Sequence, residues 1–482
     1  MGTNRKSNKK KMKIILINII LLFSIVKTEN LTIAPLFYAS YQPLGGTWDV
    51  EQNDILLGGW GVIGKYNNNN FNIEIDFYNN RFFGIKHKPN YFSKEQGLSW
   101  WKGVDSENNP NNNAYDFDVA NIKMGYSNNN YELFLGKFNR HWGPGESSLT
   151  ISNKSPSFSQ FGFNWNINSN IKFEYFHGAL KSLIIDSLNI DYYNEVGARK
   201  PNLNRFIAGH RIDFKLSPKL KIGASEMVVY GLRNMDIGYS MPFIPFWSLQ
   251  HYLGDLDNIQ LSFDFNWKLT KKINLYGAFL IDEWRPSVTF NKKEERNWFA
   301  YQLGSNVKNL FINNDDIIIE YTWTDHRIYR HRFEINDYYN HGYPIGFWAG
   351  PHAEELFLNY TFEIFDLIFK INYSNAKRGL LTDEMLYNQY LNEDDFERYS
   401  DTYESISLFN FTINKYIYKG LELHLGLNSI DWKNGNFDPS QLHQNNLKNI
   451  NKNSYYLGFS YNFDIQKQKS FINKKSIQLK YD

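Results

Sequence analysis

Apolar and polar residues alternate one for one along much of this chain. In the run NIQLSFDFNWK, Ile259, Leu261, Phe263, Phe265 and Trp267 fall on one face, and Gln260, Ser262, Asp264, Asn266 and Lys268 on the other. The runs at 71–77, 316–324 and 421–427 do the same. A period of two marks strands with one apolar and one polar side. Each run approaches the roughly 9–11 residues that a tilted strand needs to cross a bilayer. Strands are expected at 33–41, 57–66, 71–79, 118–126, 131–138, 160–168, 171–178, 204–216, 219–231, 257–269, 272–282, 299–310, 315–325, 354–363, 366–375, 403–415, 418–429 and 455–463. Short polar connections such as YNNNN, SNNN, INSN and TKK alternate with long ones at 80–117, 139–159, 179–203, 232–256, 283–298, 325–353, 376–402 and 430–454. A water-soluble sandwich has no reason to keep that alternation. The pattern predicts an all-β fold: a transmembrane antiparallel β-barrel of about 18 strands, with short periplasmic turns and long extracellular loops.

Composition points the same way. The 482 residues include 33 Tyr, 38 Phe and 13 Trp, so 17% are aromatic, yet the mean hydropathy is −0.52. A barrel needs this mixture of a ring-rich outer band and a polar lumen. There is no Cys, which excludes a disulfide frame, a thiolate metal site and a lipid-anchored cysteine. A net charge of +2 gives no argument for nucleic acid.

Arg5, Lys6, Lys9, Lys10, Lys11 and Lys13 precede the apolar run IILINIILLFSIV at 14–26, the layout of an export signal. The expected organisation is a signal over 1–29, cleaved between Ser24 and Asn30, a barrel over 30–463 closed by Phe463, and a polar periplasmic tail over 464–482. In RFIAGHRIDFKL, Phe206, Ala208, His210, Ile212 and Phe214 are expected to face lipid or the interfacial belt, and Arg211, Asp213 and Lys215 the lumen. Glu226 breaks the next strand's pattern by sharing the face of Leu220 and Ile222; a bulge near Ala224 and Ser225 would turn it inward.

Three connections carry candidate chemistry. In RHWGPGESSLTIS, Gly143, Pro144 and Gly145 stop the strand and stiffen the loop. Trp142 offers a flat face suited to a sugar ring, while Arg140 and His141 supply donors. The competing reading is an inward-folded loop whose arginine pairs with lumen carboxylates. In NHGYPIGFWAGPHAEELFL (340–358), His341 and Tyr343 are the better ligand candidates, and Phe347 and Trp348 the better packing residues. YSMPFIPFW (239–247) is a stiff apolar loop that suits a plug or a subunit contact.

Catalytic readings are weaker. Asp282 and Glu283 are adjacent and so point to opposite faces of a strand. Ser147 and Ser148 follow His141, but no G-x-S-x-G elbow exists. His326 and His331 lie five apart, which is not a metal-ligand spacing. No cofactor and no metal are expected.

The run LGKFNRHWGPGESSLTISNKSPSF, from Gly136 onward, resembles the signature of the capsule-assembly outer-membrane protein (Wzi) family. That signature is a strand ending in G-[KR], then WGPG, a Ser-Leu stretch and S-N-x-x-P-x-[FP]. Where the family usually has Ala-Pro after the Asn, this chain has Lys154, Ser155 and Pro156 after Asn153. AGHRIDFKLSPKLKIGASEMVVYG, with Arg211, Asp213 and Glu226, is similar to the family's H-R-[IL]-D-[FY] strand pair. YNHGYPIGFWAGPHAEELFL, with Gly342, Pro344, Gly346, Gly350 and Pro351, is similar to its H-G-[YE]-P-[IL]-G…G-P segment.

The blocks span about 131 to 363 in the expected order. The resemblance implies an eighteen-stranded barrel and a non-catalytic surface lectin that binds or organises capsular or related polysaccharide. The candidate contacts are then Arg140, His141, Trp142, Ser147, Ser148, Asn153, His341 and Tyr343. Outer-membrane lipid is the other expected partner, and a monomer the expected state. The best-known members carry a periplasmic helical bundle before the barrel. Here alternation begins soon after the export signal, so no bundle is expected. A porin-like channel for sugars or oligosaccharides is the alternative.

Overall fold

A computed structural model describes residues 26–27, 30–42, 54–84, 100–102, 114–194, 200–291, 296–391, 396–418 and 420–462. Most of the expected export signal with its cleavage site, Phe463 and the 464–482 tail lie outside the described residues. Eighteen long strands form the wall: β1 Leu31–Gln42, β2 Ile55–Asn68, β3 Phe71–Phe83, β4 Ala114–Ser127, β5 Tyr131–Phe138, β6 Phe158–Asn166, β7 Ile171–Ile185, β8 Asn202–Lys215, β9 Leu220–Gly231, β10 Asn258–Lys268, β11 Ile273–Glu283, β12 Trp298–Lys308, β13 Asp316–Thr324, β14 Ala353–Ile364, β15 Leu367–Arg378, β16 Glu404–Tyr418, β17 Leu421–Gly435 and β18 Lys448–Asn462.

Each strand pairs antiparallel with its neighbours in sequence, and β1 also pairs with β18, from Leu36 opposite Asn462 to Tyr41 opposite Leu457. The sheet therefore closes on itself and has no free edge. All eighteen expected strands are present. Several run further at their outer ends, β7 and β18 most of all: β7 ends at Ile185 rather than 178, and β18 begins at Lys448 rather than 455. Among the described residues, no helix is long and apolar enough to cross a membrane.

Alternation sorts the side chains. Leu133, Leu135, Phe263, Leu303, Leu356, Leu425, Leu427 and Leu457 are exposed on the outer wall, while Gln260, Ser262, Gln302, Asn410 and Asn428 are buried on the lumen side. The inner half of the lumen is lined by ion pairs. Lys123 meets Glu132 at 2.5 Å and Lys172 meets Glu174 at 2.5 Å. Arg211 donates to both oxygens of Asp264 at 2.5 and 2.9 Å and to Asp213 at 2.6 Å.

The expected bulge at Ala224 and Ser225 is absent. β8 and β9 stay in register from Arg205–Gly231 to Lys215–Lys221 without a shift, so Glu226 lies opposite His210 on the outer face. No inward turn is needed because the 232–257 connection drapes over that face and covers the carboxylate. Glu226 accepts the backbone N–H groups of Phe246 and Trp247 at 2.8 and 2.6 Å. This also corrects the plug reading of 239–247, which packs on the outside of the wall: Tyr239 and Phe246 cluster with Tyr175, Ala208, Val228, Tyr230 and Ile259.

Breaking one side of a buried ion pair costs about 3–5 kcal/mol. Arg211→Leu strands Asp264 and Asp213, and we expect it to lower unfolding stability by about 3 kcal/mol, measured as a shifted urea midpoint in detergent. Lys308→Ala removes an exposed 3.7 Å pair with Asp316 and should change the midpoint by less than about 1 kcal/mol.

Candidate functional site

The connections at 139–157 and 325–352 turn into the lumen and interlock. The first begins as β5 ends. Gly143 adopts φ +113°, and a Cβ there would lie 2.4 Å from the Ser148 hydroxyl, so only glycine fits the turn. The turn doubles the chain back: Trp142 N–H donates to Ile151 O at 2.9 Å, and the Ser148 hydroxyl donates to Trp142 O. Trp142, Ser147, Ser148, Leu149, Thr150 and Ile151 are all buried.

Arg140 and Trp142 form the floor of this loop. The Trp142 ring meets Phe176 edge-on at 5.1 Å, and its Nε1–H donates to Glu174 at 3.1 Å. Arg140 Nε donates to Gln160 at 2.8 Å, Nη1 lies 3.7 Å from Glu174, and the guanidinium sits 4.4 Å over Phe176. Burial pushes Arg140 down to about 10, with Glu174 pulling the other way, so it stays charged at neutral pH. This is the inward-folded arrangement, with the arginine on a lumen carboxylate.

The second loop supplies the matching half. The Tyr329 hydroxyl donates to Leu149 O at 2.5 Å and accepts Phe347 N–H at 3.0 Å. The Tyr338 hydroxyl donates to Thr150 O at 2.9 Å, and its ring stacks on Tyr329 at 5.6 Å. Ser152 N–H donates to Ile345 O at 2.7 Å, and Asn340 Nδ2 to Pro156 O at 2.9 Å. Gly346 lies at the crossing, where a Cβ would sit 2.2 Å from Leu149 O and 2.3 Å from the Tyr329 hydroxyl.

Both loops are tied to the wall. Gln302 Nε2 donates to Ser147 O at 2.8 Å, Glu146 N–H donates to Glu320 at 2.8 Å, and Trp348 Nε1–H donates to Glu355 at 2.7 Å. Arg205 donates to the carbonyls of Ile335, Glu334 and Tyr339 at 2.6–3.0 Å. Asp325 grips Arg327 through both oxygens at 2.9 and 3.1 Å. Burial works to raise the Asp325 carboxyl, but His326 and Arg327 together hold it below the usual carboxylate range. One apolar cluster joins Trp142, Leu149, Tyr329, Ile345, Phe347 and Trp348 to lumen residues from Phe134 on β5 round to Ile450 on β18.

The expected contacts thus separate. Arg140, Trp142, Ser147, Ser148 and Tyr343 are buried within the plug, as are Phe347 and Trp348. His141, Asn153 and His341 are half-buried, and Gly342 is exposed. The plug's outer face carries Arg332, Phe333 and Glu334, all exposed. The Arg332 guanidinium lies 5.1 Å from the Phe333 ring centre, and the His331 ring 5.5 Å from it. DHRIYRH drew attention to this segment only as a failed metal spacing. The exposed ring beside cations was the signal available there. Among the described residues, no group of three or more His, Asp or Glu could hold a metal ion.

Trp142→Ala removes the Phe176 contact and the Glu174 hydrogen bond. Truncating a buried tryptophan costs about 3–5 kcal/mol. Because the loops interlock, amide exchange should rise in both 139–157 and 325–352; faster exchange in the first loop alone would show that they do not act as one unit.

None of the curated proteins compared matches this sequence. The structure is similar to that of Wzi from Escherichia coli, described as an outer-membrane protein involved in group 1 capsule assembly and a carbohydrate-binding β-barrel. Identity is 15% over 93% of this chain and 87% of that chain, with a TM-score of 0.55. It is also similar to Pseudomonas aeruginosa OccK5 (OpdH), at 10% identity over 90% of this chain and 98% of that chain, TM-score 0.45. Acinetobacter baumannii OccAB4 gives 9% identity over the same shares, TM-score 0.44. The family model for the capsule assembly protein Wzi matches residues 60–447. This outer-membrane barrel, with its RHWGPG and HGYPIG loops locked together in the lumen, belongs to the Wzi capsule assembly family.

Proposed function

We propose that this chain is a non-catalytic outer-membrane lectin that holds capsular or related polysaccharide at the cell surface, and that the glycan lies on the outer face of the plug. The observation that carries the reading is the interlock of the two loops. It fills the outer lumen, so a long polymer meets the protein at the plug's outer face. The family, and the carbohydrate binding described for Escherichia coli Wzi, supply the ligand class. Arg332, Phe333 and His341 give that face a ring and planar donors, the combination that a sugar's CH-rich side and hydroxyls accept. Arg140, Trp142, Ser147, Ser148 and Tyr343 act one layer below by fixing the plug's shape.

The non-catalytic reading draws support from the carboxylates around the plug, each engaged by hydrogen bonds to the plug or to the surrounding wall. Glu320 takes the hydroxyl of Tyr276, Glu355 binds Trp348 and Ser374, and Glu404 binds Arg378 and Trp432. The filled lumen weighs against the channel reading.

The test is binding of purified protein in lipid nanodiscs to high-mass surface polysaccharide from its own host. Ring stacking contributes about 1 kcal/mol, so Phe333→Ala should weaken binding roughly five-fold without abolishing it, and adding His341→Ala should weaken it further. No binding by the unaltered protein would remove the lectin reading. Unchanged affinity in the double variant would move the site away from this face.

A further inference from the structure

The 232–257 connection is unlike the plug loops because it leaves the outer rim and runs down the outside of the barrel. Its first half is bent and turned, with a single 3-10 turn at Gly238–Ser240, and Phe246–Tyr252 forms a short helix. Phe243 reaches the ring of Phe173 at 5.1 Å, only two residues from the inner end of β7. At about 3.3 Å per residue, that contact lies roughly 40 Å along the strand from the rim; with a strand tilt of about 45° this is roughly 28 Å of depth, comparable with the apolar band of about 25 Å on such barrels. The segment therefore lies against wall that faces lipid.

Between Ile237 and Trp247 its own outward surface is apolar, while Asn234, Ser248, His251 and Asp255 are exposed nearer its two ends. Ile237, Phe243 and Trp247 are 78%, 68% and 57% exposed, and they continue the band formed by Phe161, Trp165 and Phe263 on the bare wall to either side. In water such a patch would be out of place; beside acyl chains it matches the wall.

Most of the polar groups beneath it are paired, as lipid requires of buried backbone and charge; His210 Nδ1 and Gln250 Oε1 are the exceptions. Glu226 accepts the first two N–H groups of the short helix, and His210 lies 2.9 Å from the same carboxylate. The His177 ring meets the Tyr230 hydroxyl at 2.6 Å and the Ser240 hydroxyl at 3.2 Å. The Tyr175 hydroxyl donates to Tyr239 O at 3.0 Å, and Asp236 N–H to the Tyr230 hydroxyl at 3.0 Å. Pro242 and Pro245 carry no N–H to satisfy. Glu226, His210 and His177 are polar residues on a lipid-facing wall, and each sits where the segment covers it.

We propose that residues 232–257 form a foot embedded in the outer membrane, clamped to the barrel wall by Glu226, His210 and His177, with Ile237, Phe243 and Trp247 in contact with lipid acyl chains. Its far end is tied to the plug, since Asn336 Nδ2 donates to Leu256 O at 2.7 Å and Arg332 to Asp255 O at 2.6 Å. The foot thus fixes the plug's height relative to the bilayer.

The chain has no Cys, so single introduced cysteines can be spin-labelled cleanly. Phe243→Cys and Trp247→Cys would be labelled in the full chain, reconstituted in dioleoylphosphatidylcholine vesicles, and exposed to oxygen and to a water-soluble nickel chelate. Leu425→Cys on the bare wall serves as the lipid reference, and Leu188→Cys, 93% exposed in an outer connection, as the water reference. Folding is checked by gel shift on heating. The expected result is oxygen-over-nickel accessibility like that of Leu425→Cys at both foot positions. Accessibility like that of Leu188→Cys would overturn the proposal. Protection from both reagents would overturn it as well, because a second protein surface would then occupy the place given to lipid. Glu226→Ala should raise the mobility of the label at 247 in a barrel that still folds; unchanged mobility would remove Glu226 from the clamp.

Discussion

Every backbone N–H and C=O facing hydrocarbon must find a partner within the protein. The ring closed by β1 on β18 meets that demand for eighteen strands at once. It also leaves two surfaces, wet inside and apolar outside, that any connection folding back must match. The plug loops turn inward and take polar partners from the wall, such as Gln302, Glu320 and Glu355. The 232–257 segment turns outward, takes Glu226, and shows rings to the surroundings. Both insertions obey the constraint that shapes the barrel.

The lumen is divided along its length. Its inner half is polar, lined by Lys123–Glu132, Lys172–Glu174 and Arg211–Asp264. Its outer half is an apolar core in which the wall and both loops interdigitate. Arg140 and Trp142 stand at the boundary and share Glu174. That explains why an arginine, a histidine and a tryptophan precede a Gly-Pro-Gly turn: the sharp turn aims the two larger side chains at one carboxylate and one ring, and the loop above is built on that footing.

The wall was legible in the sequence because period-two alternation is a local property. All eighteen strands could be placed from it. The outer ends were harder. NKNS before Tyr455 reads as a polar connection, yet it is part of β18, since beyond the membrane a strand need not be apolar outside. Glu226 was legible as an exception, but not its resolution, because the groups that pair with it lie on another strand and on a connection. The plug was the least legible. Tyr329 and Leu149 are 180 residues apart in sequence, and nothing local marks one as the other's partner. A ring-rich loop such as 239–247 suits the lumen and the lipid face equally, so composition could not choose its side.

The claim on which the rest stands is that the two interlocked loops close the barrel, so that it works at its outer end rather than through its middle. Single-channel recording of the purified protein in planar bilayers addresses this most directly. A closed barrel predicts no long-lived conductance steps at moderate voltage. Large, steady steps, reduced by added oligosaccharide, would contradict it and make the chain a channel.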